Sequence, residues 1–205
     1  PQAATPRPRL FRLAEDRAVI NRMGFNNRGQ AAAVSRLERR GRGVVGVNVG
    51  ANKDSADRIR DYAEGAARMA GAADYLTVNI SSPNTPGLRA LQDKGALAEL
   101  LAAVAGARAG KPVFLKVAPD LEPEQVEDVA GAAVDGGVDA LIVGNTTVSR
   151  PPLRSRHRGE AGGLSGAPLK ALALERLRDF ARATGGALPL VACGAVSEFV
   201  DAGEP

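Results

Sequence analysis

Polar side chains suited to ligand chemistry recur where apolar runs of this sequence end. The four that stand at or just beyond such runs are Asn48, Asn79, Lys116 and Asn145. An asparagine offers both a hydrogen-bond donor and an acceptor, so several convergent amides suit a planar heterocycle with alternating C=O and N–H groups. A buried ammonium is costly without a partner, so a lysine among them requires an anion or an electron-rich acceptor.

The densest group of polar residues lies in residues 79–87, Asn-Ile-Ser-Ser-Pro-Asn-Thr-Pro-Gly. Two prolines and a glycine prevent this stretch from continuing as a regular helix or strand. Taken alone, the stretch is also compatible with an ordinary strand-to-helix turn in which serine and asparagine cap the helix. The amides that follow the other apolar runs favour a chemical role for it.

Apolar segments that alternate with helical patterns are predicted to form five strands of a parallel sheet. The strands are predicted at residues 44–50, 75–80, 112–117, 140–143 and 188–194, and the helices at 29–41, 54–70, 93–108, 123–135 and 168–184. Continuous rather than alternating hydrophobicity predicts strands that are buried on both faces. A short edge strand is predicted at residues 9–13, and loops at 20–27 and 148–167.

The parallel strands predict either a doubly wound sheet or a barrel, and in both the ligand binds at the carboxyl ends of the strands. No Gly-x-Gly-x-x-Gly follows the first strand, which argues against a dinucleotide-binding unit. No carboxylate pair or His/Cys cluster accompanies the strand-end amides, and the single histidine, His157, is predicted to be solvated in an arginine-rich loop. Metal-assisted hydrolysis is therefore disfavoured.

The composition indicates one globular domain of 205 residues, of which 44% are hydrophobic. The net charge is +4, and the basic runs at 36–42 and 150–158 contain no interleaved aromatic residues, so nucleic-acid binding is disfavoured. The single cysteine, Cys193, cannot form an internal disulfide and favours a reducing compartment. No segment reaches the ~18 apolar residues of a transmembrane helix, and no signal peptide is visible.

Five motifs, in order along the chain, resemble those of the class 2 dihydroorotate dehydrogenases. They lie at residues 21–27, 79–88, 115–120, 145–147 and 162–166. One such motif alone is weak evidence, whereas five in the family's order form a specific resemblance that covers residues 9 to about 194. The resemblance implies a (β/α)8 TIM barrel that binds FMN, oxidises dihydroorotate to orotate in pyrimidine synthesis and passes the electrons to a quinone.

The resemblance also implies roles for individual residues. Ser82 matches the catalytic base, a position that holds cysteine in the related class 1 enzymes, and Thr85 matches a residue of the proton relay. The residues that match substrate contacts are Asn21, Arg22, Met23, Gly24, Phe25, Asn79, Asn84, Asn145 and Thr146. Those that match flavin contacts are Asn48, Asn79, Lys116, Gly144, Gly166 and Ala195. No metal site is implied.

Several segments of the family have no counterpart in this sequence. They are the early barrel strands, with a glycine-rich flavin loop and a substrate-binding lysine, the last strand, and the N-terminal hairpin that docks class 2 enzymes on membranes. Ala195 stands where the family has a glycine. We therefore expect residues 1–205 to form a single domain, an incomplete barrel of about five parallel strands that is inactive alone. The full-length family is expected in the cytoplasm, peripheral to the inner face of the cell membrane.

Two other interpretations remain open from the sequence. The first is another FMN barrel, such as a class 1 or dihydropyrimidine dehydrogenase-like enzyme, which cysteine at position 82 would favour and serine disfavours. The second is a non-catalytic remnant that binds a pyrimidine or a partner protein. Orotate binding without flavin would favour that second interpretation.

Overall fold

The computed structural model describes residues 1–84 and 88–194, which fold into two sheets with helices packed on one of them. The strands are β1 (Leu10–Leu13), β2 (Ala18–Asn21), β3 (Gly46–Val49), β4 (Tyr75–Asn79), β5 (Val113–Val117), β6 (Ala140–Val143), β7 (Gly163–Gly166) and β8 (Leu190–Ala192). The helices are α1 (Gln30–Leu37), α2 (Arg58–Ala70), α3 (Lys94–Ala107), α4 (Pro123–Asp135) and α5 (Lys170–Thr184). Short 3-10 helices span Ala14–Asp16, Leu88–Gln92 and Ala167–Leu169.

The larger sheet has five parallel strands in the order β3-β4-β5-β6-β8, which confirms the predicted number and direction. Its main core lies between this sheet and helices α2 to α5, where Tyr62, Leu100, Val129 and Phe180 are buried against the strands. Helices that connect parallel strands and cover one face of the sheet are typical of a barrel rather than a doubly wound sheet. The fold is therefore an incomplete TIM barrel.

The opposite face of the parallel sheet is less buried than the sequence predicted. Along β5, Val113, Leu115 and Val117 are buried, whereas Phe114 and Lys116 are half-buried. Exposure is greatest in the outer strands β3 and β8, where Asn48 and Val191 are accessible. The prediction of two buried faces is wrong here, because the inner face of a barrel is covered only where strands close around it.

The smaller sheet is antiparallel, in the order β1-β2-β7, and it corrects two predicted loops. Ile20 and Asn21 belong to β2, and β7 lies inside the predicted loop 148–167. The sequences of these two strands, Ala-Val-Ile-Asn and Gly-Leu-Ser-Gly, show no clear alternation, and the strands form because β2 pairs with both β1 and β7. The predicted edge strand at residues 9–13 is confirmed as β1.

Helix boundaries follow local capping chemistry. α2 begins at Arg58, later than the predicted residue 54, because the Asp57 carboxylate accepts a hydrogen bond from the Arg60 amide at 2.9 Å. α4 begins with Pro123 in its first turn and is followed by Gly136, as predicted. In the part of the chain that the structure describes, no helix is both long and apolar enough to cross a membrane.

Two aspartates make the same pair of contacts, to a backbone amide and to an arginine, at the amino ends of the parallel strands. Oδ2 of Asp74 accepts hydrogen bonds from the Val45 amide and the Arg40 guanidinium, both at 2.7 Å. Oδ2 of Asp139 accepts from the Val113 amide at 2.8 Å and from the Arg108 guanidinium at 2.7 Å. Each carboxylate thereby holds the start of one strand against its neighbour. The Arg40 guanidinium, helped by the Val45 amide, lowers the pKa of Asp74 to about 2.

The lowered pKa of Asp74 predicts a specific loss of stability in acid. Because the folded pKa, about 2, lies below the unfolded value of about 4, the contribution is complete above about pH 4 and disappears as pH falls through the folded value. Asp74→Asn should therefore lower the urea midpoint at neutral pH and flatten its dependence between about pH 4 and pH 2. Asp54→Asn, at an exposed carboxylate, is the control and should leave the acid dependence unchanged.

Candidate active site

The loops that follow β4 and β6 meet at the buried side chain of Ser81. Its hydroxyl donates to Oδ1 of Asn79 at 2.7 Å and accepts from Nδ2 of Asn145 at 2.6 Å. The Ser81 amide donates to the same Asn79 oxygen at 3.0 Å. The structure thus joins two predicted site residues, Asn79 and Asn145, through Ser81, a serine for which no separate role was predicted. In the sequence, the signal that could have indicated a role for Ser81 was its position between two predicted site residues, Asn79 and Ser82.

Ser82 lies beside this junction and is 6% exposed. Its Oγ accepts a hydrogen bond from the backbone N–H of Asn84 at 3.3 Å. Within residues 1–84 and 88–194, the Ser82 hydroxyl donates no hydrogen bond. Nδ2 of Asn84 in turn donates to the backbone and side-chain oxygens of Asn21, each at 3.2 Å. Ser82, Asn84 and Asn21 therefore form one contiguous polar group.

Lys116 joins the ends of three strands from the inner face of the sheet. It lies in register with Asn79 on the neighbouring strand. Its Nζ donates to the Gly144 carbonyl and lies 3.3 Å from Sγ of Cys193. Gly144 has a φ of 123°, and an added Cβ would lie 2.2 Å from the Cys193 carbonyl, so only glycine is accommodated there. The sequence had not assigned Cys193 to the site.

The donors on this inner face fit the polar edge of a flavin. Asn79 is 3% exposed, yet its Nδ2 has no hydrogen-bond acceptor in the described part of the chain. A buried donor without a partner is costly, which favours an external acceptor such as a heterocycle carbonyl. The ammonium of Lys116 lies on the adjacent strand and the exposed amide of Asn48 on the same face. Two amides and a cation could together hold such a ring.

Thr146 and β7 complete the wall beside Ser82. The Thr146 amide donates to Oδ1 of Asn145 at 2.7 Å. An added Cβ on Gly163 would lie 1.9 Å from the Thr146 hydroxyl and 3.2 Å from Pro83, so β7 packs against both loops. At Gly166, with a φ of 99°, an added Cβ would lie 2.4 Å from the Arg17 carbonyl. The antiparallel sheet itself therefore requires glycine at that position.

The remaining residues of the motif at 21–27 lie farther from the junction. The Arg22 guanidinium donates to Glu160 at 2.9 Å and stacks 4.6 Å above the Phe11 ring. The Met23 amide donates to Oδ1 of Asn21 at 3.4 Å. Gly24 and Phe25 both have left-handed backbone conformations, and Phe25 lines a cavity of about 600 Å³ beside Asn48.

Three further predictions concern residues outside this group. Thr85 and Ala195 lie outside the described residues. His157, predicted to be solvated, is half-buried with its ring 5.5 Å from that of Phe11. No group of three or more His, Cys, Asp or Glu side chains suited to a metal ion occurs in residues 1–84 and 88–194.

Comparison with known proteins connects this geometry to one family. The family model described as dihydroorotate dehydrogenase matches residues 1–205. Proteins named dihydroorotate dehydrogenase (quinone) from Sphingopyxis alaskensis and Erythrobacter litoralis are each 64% identical to this chain and match all of it. The matches cover 59% and 61% of those two proteins. The chain therefore spans about three fifths of the length of these relatives.

Two crystal structures of dihydroorotate dehydrogenase (DHODH) from Eimeria tenella show the same fold. One is in complex with ferulenol and the other is ligand-free. Each is 40% identical in sequence, with a TM-score of 0.92 over 98% of this chain. The matched regions cover 62% and 64% of the two solved chains.

Tyr62 supports the junction from the core side. Its fully buried hydroxyl donates to the Asn79 carbonyl at 2.6 Å, and burial raises the pKa of Tyr62 well above its usual value. Tyr62→Phe should lower the free energy of unfolding by about 1 to 3 kcal/mol, because the buried carbonyl loses its donor. Urea unfolding monitored by circular dichroism measures this change. Tyr75→Phe retains the ring stacked on Phe114 and should change the free energy by less than about 0.5 kcal/mol.

Proposed function

Because this chain belongs to the dihydroorotate dehydrogenase family, we propose that it carries the catalytic part of an enzyme that oxidises dihydroorotate to orotate in pyrimidine synthesis. The observation that carries this proposal is the meeting of two contacts at the carboxyl ends of the strands. The Ser82 hydroxyl accepts from the Asn84 backbone N–H, and the Asn145 side chain contacts the adjacent Ser81. In the reaction, one ring carbon loses a hydride and its neighbour loses a proton. FMN, when bound, supplies the two-electron acceptor that later reduces a quinone.

Ser82 is the proposed acceptor of the proton. It is nearly buried, and the Asn84 amide orients its oxygen. A serine hydroxyl is a weak base at its ordinary pKa and requires a partner or a water relay to pass the proton on. We assign that relay to Thr85 from the family motif. The serine at this position, and relatives named as quinone enzymes, favour class 2 over class 1 or dihydropyrimidine dehydrogenase-like chemistry.

The asparagines are the proposed contacts of the pyrimidine. A dihydroorotate ring alternates C=O and N–H groups, and a primary amide can satisfy either. Asn84 already contacts Asn21, and Asn145 reaches Asn79 through Ser81, so the four side chains form two pairs that flank the consecutive residues Ser81 and Ser82. With Thr146 they are positioned to orient the ring against Ser82. The residues at 22–25 contribute the adjoining loop.

Lys116, Asn79 and Asn48 are the proposed contacts of FMN on the inner face of the sheet. Their common face and the unpaired Asn79 donor support this assignment. A fixed ammonium stabilises negative charge that develops beside it, which is the proposed role of Lys116. Gly144, Gly166 and Ala195 are assigned to the same site from the family motifs alone.

The proposed electron acceptor indicates where the full-length protein works. Relatives that match this chain are named as quinone enzymes, and respiratory quinones dissolve in membranes. We therefore propose that the full-length protein is cytoplasmic and peripheral to the inner face of the cell membrane.

Orotate binding tests the pyrimidine site directly. Asn84→Ala and Asn145→Ala should each weaken orotate binding about tenfold, because each loses an amide hydrogen bond worth about 1 to 2 kcal/mol. Isothermal titration of the purified chain measures the affinity. Asn52→Ala, at an exposed asparagine, is the matched control and should bind orotate unchanged. An unmodified chain that does not bind orotate would contradict the proposed site.

The role of Ser82 is tested by separating catalysis from binding. Ser82→Ala should lower dihydroorotate-dependent quinone reduction by about a hundredfold or more, and orotate affinity should stay within about threefold. The assay uses the full-length protein with added FMN and a soluble quinone. Full turnover by Ser82→Ala would exclude Ser82 as the base. Orotate binding by the unmodified chain without flavin uptake or turnover would support the alternative of a pyrimidine-binding remnant.

A further inference from the structure

One arginine contacts the loops after three neighbouring strands. Arg89 lies on the 3-10 helix Leu88–Gln92. Its Nε donates to the Ser81 carbonyl at 3.1 Å and its Nη1 to Oδ2 of Asp120 at 2.7 Å. Its Nη2 donates to the Thr146 carbonyl at 3.4 Å. A single guanidinium therefore connects the segments that follow β4, β5 and β6.

Asp120 also contacts the loop after β6, through both of its carboxylate oxygens. Oδ1 accepts from the hydroxyls of Thr147 and Ser149, the latter at 3.4 Å, and Oδ2 accepts from the Val148 amide at 3.3 Å. The Asp120 side chain is 11% exposed and that of Arg89 is 24% exposed. Solvent therefore screens this pair less than it screens a surface ion pair.

The helix that carries Arg89 is itself fixed to β5. Oε1 of Gln92 accepts a hydrogen bond from the Ala118 amide at 3.1 Å, and Gln92 is 5% exposed. The neighbouring Leu91 is buried in the main core. Because both anchors belong to the rigid scaffold, the guanidinium is held in place independently of the loops that it contacts.

We propose that Arg89 and Asp120 are positioning residues that fix the Ser82 loop relative to Asn145 and Thr146, an inference that rests on the proposed function. They act through the Ser81 and Thr146 carbonyls, one residue from Ser82 and from Asn145 respectively. The guanidinium presents its donors on three nitrogens in a rigid planar fork, and this fork spans three acceptors that the compact ammonium of lysine cannot reach together. Loss of the fork should therefore loosen the loops even where the positive charge is kept.

A matched pair elsewhere in the fold separates positioning from general stabilisation. Arg108 and Asp139 form the same type of ion pair, also at 2.7 Å, at the amino end of the sheet where Asp139 also accepts from the Val113 amide. Arg108→Lys alters an arginine–aspartate ion pair of the same length at the opposite end of the sheet from Ser82. It is therefore the control for Arg89→Lys.

Hydrogen exchange measured by mass spectrometry tests the positioning without any ligand. Arg89→Lys should speed exchange of the amides in residues 145–150 at least about tenfold, because the direct contact to the Thr146 carbonyl and the ion pair that orients Asp120 against this loop are both lost. Exchange within α4 should stay unchanged, and Arg108→Lys should not affect residues 145–150. Unchanged exchange in Arg89→Lys, or equal acceleration by Arg108→Lys, would overturn the proposal. Asp120→Asn provides a second variant should Arg89→Lys not fold.

Orotate titration shows whether the positioning serves the site. Arg89→Lys and Asp120→Asn should each weaken orotate binding about tenfold, whereas Arg108→Lys should bind orotate normally. The urea midpoints of Arg89→Lys and Asp120→Asn should be no lower than that of Arg108→Lys. Lower midpoints with normal orotate binding would show a purely structural role and overturn the proposal. If the unmodified chain does not bind orotate, the proposed function fails, and the exchange experiment alone still decides whether Arg89 and Asp120 order the loops.

Discussion

The hydroxyl of Ser81 accepts a hydrogen bond from Asn145 while donating one to Asn79, and the candidate site depends on this buried junction. Without the Ser81 hydroxyl, the side chains of Asn79 and Asn145 would each lose a hydrogen-bond partner, at a cost of about 1 to 3 kcal/mol per unpaired buried group. Because Ser82 is the next residue, the junction also places the proposed base. Tyr62 supports it from the core, through the Asn79 carbonyl, and Arg89 supports it from the surface, through the Ser81 carbonyl.

The parallel sheet separates stability from chemistry by the alternation of its side chains. On β5, Leu115 and Val117 face the helices and are fully buried, whereas Lys116 between them faces the inner side of the sheet and is half-buried. A substitution on the helix side therefore acts through packing, and one on the inner side acts through the polar network.

Much of the scaffold could be predicted because its signals are local. The helical periodicity of α2 to α5 and the apolar runs of β3 to β6 and β8 appear within short windows of sequence. Strands β2 and β7 could not be predicted, because their sequences, Ala-Val-Ile-Asn and Gly-Leu-Ser-Gly, show no strand pattern and the strands form by pairing with distant segments. For the same reason, the partial exposure of Phe114 and Lys116 depends on strands across the barrel, which no local pattern reports.

The sequence by itself determined the residue types at the strand ends and the order of the motifs, and these were sufficient to indicate Ser82, Asn84, Asn145 and the family. Only the tertiary structure decided how those residues meet. The contact between Asn145 and Ser81 joins positions 64 residues apart, and that between Arg89 and Asp120 joins positions 31 apart. Such contacts depend on the register of neighbouring strands and on loop geometry, and both are set by packing across the whole sheet rather than by any single segment.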